Sequence, residues 1–238
     1  MKKIKYNIII FPGSNCDRDM KWVSELYGAE SDFVWHKDYD LKHPDVVVLP
    51  GGFSFGDYLR CGAIAKYSNI MPAIIDFANK GGLVIGICNG FQILTEAGLL
   101  PGTLLKNKSM TFICQHQYLK VENNKTAFTN QYQNDEVIDI PIAHKDGFYF
   151  IDDEGLNKLV LNKQIVFKYS DIKGNTNETN NPNGSLLNIA GITNEKGNIL
   201  GMMPHPERAS ENILPSQKGA GVFQSIHRWV CEKSRMQI

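Results

Sequence analysis

Charge of one sign, paired cysteines, long apolar runs and nucleotide-binding glycine motifs are all missing from this 238-residue chain. Lys and Arg total 25 and Asp and Glu total 25, so no bulk field draws the chain to nucleic acid or to an anionic membrane surface. Partners must be read from sites instead. No apolar stretch approaches the roughly 20 residues of a membrane span. Met1-Lys2-Lys3 followed by Ile8-Ile9-Ile10-Phe11 stops at Pro12-Gly13, too short for a signal peptide, and reads as a first strand. The five cysteines, Cys16, Cys61, Cys88, Cys114 and Cys231, are odd in number and include no Cys-x-x-Cys pair. That argues against a disulfide framework or a zinc site and fits a reducing cytoplasm. Neither GxxxxGK(S/T) nor GxGxxG occurs, which argues against binding ATP through a P-loop or a Rossmann loop.

With 42% hydrophobic and 21% charged residues, the chain can fill one core, and one domain over 1–238 is expected. Short apolar runs alternate with helical patterns, the pattern of a mainly parallel sheet covered by helices on both faces. Strands are expected at 6–11, 33–35, 46–49 and 83–87, and helices at 17–27, 57–67, 70–79 and 91–97. Beyond Pro101-Gly102 the period changes to two, as in Tyr118-Leu119-Lys120-Val121 and Ile165-Val166-Phe167, predicting antiparallel strands attached to the core. Leu186 to Thr193 and Asn198 to Met203 read as a hairpin, and about 218–234 as a last helix. Asn175 to Gly184 is too polar to pack and reads as a mobile surface loop.

The chemistry is concentrated in Val84-Ile85-Gly86-Ile87-Cys88-Asn89-Gly90-Phe91-Gln92, a buried strand entering a Gly-x-Cys-x-Gly turn and then a helix. Such an elbow holds its central residue in a strained conformation, with glycines where a larger side chain would meet neighbouring backbone. A cysteine there also sits at the positive end of a helix dipole, which favours its thiolate. A core cysteine in a Gly-rich turn is the alternative. The two glycines after five apolar-rich residues favour a nucleophile.

A second signal is Met202-Met203-Pro204-His205-Pro206-Glu207-Arg208. The prolines bias His205 toward extended backbone, so that His205 and Glu207 share a face. The carboxylate can then orient and charge the imidazole while the ring reaches a thiol. A Pro-rich turn with a surface histidine is equally good for this motif alone. Beside the elbow, cysteine, histidine and carboxylate supply the three roles of thiol acyl transfer. Leu49-Pro50-Gly51-Gly52-Phe53-Ser54 follows a strand and exposes backbone N–H groups as an oxyanion hole requires. Gly52 and the amide of Asn89 are the candidate donors, and a simple strand-exit turn is the alternative.

These motifs together resemble the class I (triad) glutamine amidotransferases, through GICNGFQIL around Cys88, LPGGFS around Gly52 and PHPE at His205 to Glu207. FPGSNCD at 11–17, GDYLRCGAIA at 56–65, NGFQILTEAGLLPG at 89–102 and GMMPHPER at 201–208 are similar, more narrowly, to the glutaminase subunits of phosphoribosylformylglycinamidine synthase. The resemblance implies an α/β fold on a mainly parallel sheet, with Cys88 as nucleophile, His205 as base and acid, Glu207 as orienting carboxylate and Gln92 as a contact to substrate glutamine. It implies no cofactor or metal in this chain. It further implies a separate synthetase subunit that binds ATP and Mg and a small accessory subunit as partners, with no nucleic acid and no membrane. His144-Lys145-Asp146-Gly147 departs from the family's His-Gly-Glu-Gly, and 111–116 lacks its arginines and tryptophan.

Overall fold

A computed structural model describes residues 3–236; Met1 and Lys2, part of the basic start weighed above, lie outside them. The parallel core is built from the runs that are apolar without alternation. Strands β1 (Lys5–Ile10), β2 (Glu30–Trp35), β3 (Val46–Leu49) and β4 (Leu83–Ile87) pair in parallel, in the spatial order β2-β1-β3-β4. Every residue of β3 and β4 is buried, as expected of strands covered on both faces. Each buried Val, Leu or Ile there contributes about 1.5–3 kcal/mol relative to exposure. Helix α1 (Asp17–Leu26) connects β1 to β2 and helix α2 (Met71–Asn79) connects β3 to β4, while helix α3 (Asn89–Glu96) follows β4.

The predicted change of period after Pro101 is a change of pairing. β5 (Thr103–Leu105) and β8 (Phe148–Phe150) form a separate two-stranded ribbon, and helix α4 (Asp153–Leu161) follows it. β6 (Ile113–Val121), β7 (Val137–His144), β9 (Ile165–Ser170) and β10 (Ile189–Thr193) extend the main sheet antiparallel, and β11 (Ile199–Met202) returns parallel to β4. The nine strands run β2-β1-β3-β4-β11-β10-β9-β6-β7. The expected hairpin is β10–β11, closed over Asn194 to Gly197, where the Gly197 N–H donates to the Asn194 carbonyl at 3.0 Å. Helix α5 (Ala220–Met236) buries Val222, Phe223 and Ile226. No described helix is long and apolar enough to cross a membrane.

Two expectations are corrected. Residues 57–67 do not form an α-helix: a 3-10 turn at Ala65–Tyr67 is the helical element inside that span, and another covers Ser54–Asp57. Left-handed φ values at Asp57 (54°), Leu59 (70°) and Gly62 (78°) break any helical run, whatever the spacing of its apolar residues. The polar 175–184 segment packs at its end, because Asn183 is fully buried and donates from Nδ2 to the Gly147 carbonyl (2.8 Å) and the Tyr169 hydroxyl (3.2 Å). Its polarity is absorbed by side-chain hydrogen bonds, which a composition argument does not see.

Candidate active site

At the carboxyl end of β4 the chain turns sharply, and Cys88 takes φ 51° and ψ −105°, a region that costs a non-glycine residue on the order of 1–3 kcal/mol. Backbone bonds on both sides hold it there. Its N–H donates to the Met202 carbonyl at 2.8 Å, and its own carbonyl accepts from the Gln92 N–H at 3.2 Å, opening α3. Gly90 lets α3 lie this close to the sheet, since a Cβ at that position would collide with the Leu49 carbonyl at the end of β3. The Cys88 sulfur is thereby placed at a helix N-terminus, 3.7 Å from the Ala143 carbonyl on β7.

His205 reaches this point from the loop after β11. Its N–H donates to the Pro141 carbonyl (2.9 Å), and its φ of −103° and ψ of 87° keep it out of the helical region between two prolines. Pro206 then begins a 3-10 turn through Arg208. The extended backbone is confined to His205, and this turn brings Glu207 to the ring. Glu207 Oε1 lies 2.7 Å from His205 Nδ1, and both residues are buried. Cysteine and histidine converge beside Gly51: the point where a Cβ of that residue would stand is 2.8 Å from His205 Cε1 and 3.5 Å from Cys88 Cβ. A cavity of about 220 Å³ is lined by Cys16, Gly52, Phe53, Cys88, Ala143 and His205, among others.

Burial alone would favour a neutral His205 ring. The Glu207 carboxylate and the neighbouring Cys16 and Cys88 thiols together outweigh it and raise the pKa well above that of an ordinary histidine. His205 Nε2 has no hydrogen-bond partner among the described residues. The Cys88 thiol therefore biases the charge on the ring without a hydrogen bond of ordinary geometry. His144, at the end of β7, is the opposite case: burial, then the charge of His205, lower its pKa to about 4. The Asn107 carbonyl oxygen Oδ1 faces His144 Nδ1 at 3.1 Å and accepts from the Gly147 N–H at 3.0 Å.

Gly52 has φ 149°, and a Cβ there would stand 2.7 Å from the Gly13 carbonyl oxygen, so only glycine fits. Its N–H finds no acceptor among the described residues. The Asn89 N–H opens α3, where amides lack intrahelical partners. The Asn89 side chain ties the two segments together, accepting from the Ser54 N–H at 3.0 Å and donating to Gln92 Oε1 at 2.8 Å. Gln92 is buried and donates to the Asp146 carbonyl at 2.6 Å. Its amide thus links the elbow helix to the turn after β7.

Cys16 and Arg208 belong to the same surroundings, although neither was singled out from the sequence. Cys16 Sγ is 3.9 Å from His205 Nδ1 and accepts from Arg208 Nη2 at 3.3 Å, while Arg208 Nε bonds Asp19 at 3.1 Å. Cys16 lies in FPGSNCD and Arg208 in GMMPHPER, the signal that the sequence carries for them. Cys16, His205 and Glu207 place three donor atoms within 4.8 Å of one another. A metal there would have to displace the Arg208 contact and the Glu207–His205 hydrogen bond.

Residues 3–230 match the CobB/CobQ-like glutamine amidotransferase domain. Subunit PurQ of phosphoribosylformylglycinamidine synthase from Synechocystis sp. is 56% identical over 221 residues, covering 92% of this chain and 99% of that protein. The chain belongs to this amidotransferase family. The PurQ subunit of Moorella thermoacetica is 52% identical over 227 residues, covering 95% and 96% of the two chains. A chain in the solved structure of PurLQS from Thermotoga maritima superimposes with a TM-score of 0.86 at 44% identity, covering 96% of this amidotransferase and all of that chain. The mixed sheet, with its parallel core and antiparallel extension, is the fold of these amidotransferases.

Proposed function

We infer that this chain is the glutaminase subunit of phosphoribosylformylglycinamidine synthase. It hydrolyses glutamine and supplies ammonia to a partner synthetase for the ATP-dependent conversion of formylglycinamide ribonucleotide to formylglycinamidine ribonucleotide in purine biosynthesis. The observation that carries this reading is the convergence of a strained Cys88 and a Glu207-bonded His205 on the gap beside Gly51, in a chain so similar to PurQ subunits. The whole chain acts as one amidotransferase domain in the cytoplasm. Its partners are a synthetase subunit and a small accessory subunit, as the PurLQS assembly suggests. ATP and Mg belong to the synthetase.

The Cys88 thiolate attacks the side-chain amide carbon of glutamine, and the oxyanion is held by the N–H groups of Gly52 and Asn89. His205, kept charged by Glu207, gives its proton to the departing ammonia. A γ-glutamyl thioester remains on Cys88. The ring, now neutral, takes a proton from water, whose attack releases glutamate and restores the thiolate and the charged ring. Gln92 is the proposed contact to substrate glutamine, its amide also bonded to Asn89 and to the Asp146 carbonyl.

Ammonia released into water is protonated and lost to the acceptor, so turnover should depend on the partner. Glutamate release is to be measured beside nucleotide product, with and without the synthetase and small subunit, formylglycinamide ribonucleotide and MgATP. Weak turnover by the chain alone and coupled, stimulated turnover in the complex are expected. Full activity alone, unchanged by partners, would refute the coupling. Vigorous peptide hydrolysis would favour a stand-alone cysteine hydrolase, and no reaction of Cys88 with a glutamine-like electrophile a silent binding subunit.

A further inference from the structure

Two cysteines, not one, stand at helix N-termini against this histidine. Cys16 caps α1 as Cys88 caps α3, and both are buried at the same cavity. The missing side chain of Gly51 leaves a gap between them: a Cβ there would be 3.0 Å from Cys16 Sγ and 3.5 Å from Cys88 Cβ. The His205 ring borders the same gap, its Cε1 2.8 Å from that point. Arg208 Nη2 donates to Cys16 Sγ at 3.3 Å, and His205 Nδ1 lies 3.9 Å away. Burial, with the nearby Glu207 carboxylate, keeps the Cys16 pKa above that of an ordinary thiol, while these two cationic groups and the α1 N-terminus work the other way and favour the thiolate. The cavity also reaches the exposed Phe53 and Cys114, which give a small oxidant a way in.

We propose that Cys16 is the resolving thiol of Cys88, capturing the peroxide-oxidised nucleophile as a reversible Cys16–Cys88 disulfide. The inference rests on Cys88 being the reactive thiol. Hydrogen peroxide oxidises the Cys88 thiolate to a sulfenic acid: the S–O bond forms, the O–O bond breaks, and hydroxide leaves. The Cys16 thiolate then attacks the Cys88 sulfur, forming S–S and breaking S–O, and the second hydroxide leaves. With the protons of the two thiols, both hydroxides become water. Two thiols and one peroxide thus give one disulfide and two waters. The disulfide removes the nucleophile from turnover while sparing it from irreversible sulfinic acid.

Trypsin places Cys16 in residues 6–18, Cys88 in 81–106 and Cys114 in 109–120, so the partners are separable by mass. The full-length chain is treated with hydrogen peroxide, alkylated and digested without reduction. The expected product joins 6–18 to 81–106 and disappears with dithiothreitol. In the assembled complex, glutaminase activity lost to peroxide should return with dithiothreitol. In Cys16→Ser, recovery relative to that variant's own starting activity should be at least about fivefold poorer, with Cys88 sulfinic acid accumulating. A link from 81–106 to 109–120, or a Cys88 sulfenic acid trapped by dimedone with no link to Cys16, overturns the proposal and leaves the nucleophile assignment standing. Failure of peroxide to modify Cys88 at all also overturns the proposal, and labelling of Cys88 by a glutamine-like electrophile in the same preparation decides the nucleophile assignment separately.

Discussion

His205 Nδ1 lies 2.7 Å from Glu207 Oε1, two residues along the chain, with both side chains out of solvent. A charged hydrogen bond of this kind is worth about 1.5–3 kcal/mol, so Glu207→Gln should lower kcat by roughly 10- to 150-fold. His205→Ala removes the proton carrier itself and should cost about 10²–10⁴-fold or more. In Glu207→Gln the raised pKa of His205 falls, and the limb of the pH–rate profile that reports the ring should move to lower pH. Steady-state glutaminase kinetics on the assembled complex check both; near-normal turnover in His205→Ala would show the base to be misassigned.

Cys88→Ser should abolish glutamine-dependent synthesis, on the order of 10³-fold or more, while the assembled complex still accepts ammonium salts. The synthetase chemistry does not require the thioester. A diazo-ketone glutamine analogue should label Cys88 in the wild type, and Cys61→Ser, Cys114→Ser and Cys231→Ser should keep their activity. A dominant adduct on a peptide other than 81–106 would rule out Cys88 as the nucleophile.

The turn itself can be tested through Gly90, whose Cα faces the Leu49 carbonyl too closely for a side chain. Relief requires backbone movement of β3 or α3, so Gly90→Ala should cost about 3 kcal/mol, the upper part of the usual overpacking range. For a chain of this size that is roughly 6–12 °C in Tm. A melting curve within 2 °C of wild type, as an approximate threshold, would mean that the elbow adjusts cheaply.

The elbow was legible because its signal is local: five apolar residues, two glycines and a cysteine specify strand, turn and helix within Leu83 to Gln92. Likewise, Pro204 and Pro206 kept His205 out of a helix. What could not be read is what arrives from elsewhere. Cys16 meets His205 from 189 residues away, and Asn107 meets His144 across 37. Such pairs depend on strand order, which the sequence pattern leaves undetermined. The 57–67 segment misled for a different reason: Tyr58, Cys61, Ile64 and Ala65 fall at helical spacing, but left-handed backbone at Asp57, Leu59 and Gly62 governs the conformation. Gly62 packs against the backbone of α3, 2.8 Å from Ile93 N to where its Cβ would be.

His144 carries a pH dependence of known sign. Folding lowers its pKa from 6.5 to about 4, so between those values the unfolded chain binds a proton that the folded chain does not. The stabilisation is present above about pH 6.5 and is lost progressively as pH falls toward 4, amounting to about 2 kcal/mol by pH 5. His144→Asn should show a smaller loss of urea stability between pH 7 and pH 5 than wild type. Equal losses in both proteins would assign the acid sensitivity to other groups.

Asn89 offers the sharpest test of how the oxyanion site is held, because its backbone and side chain do different things. The backbone N–H is a proposed donor to the oxyanion, whereas the side chain clamps the Gly52–Ser54 segment through the Ser54 N–H (3.0 Å) and braces Gln92 (2.8 Å). Asn89→Ala keeps the first and removes the second, leaving Ser54 N and Gln92 Oε1 without those partners. Two such losses are worth about 1–3 kcal/mol. If they loosen the loop in the transition state, kcat should fall roughly 5- to 150-fold with KM for glutamine nearly unchanged. Asn89→Asp should also lose activity: it can still accept from Ser54, but it sets a carboxylate beside Gln92 Oε1 and beside Asp57, whose Oδ1 accepts from the native amide at 3.3 Å. A rise in KM with unchanged kcat would instead make the side chain a substrate contact, and wild-type kinetics in both variants, with melting temperatures intact, would show that the Gly52 loop is held by its other contacts.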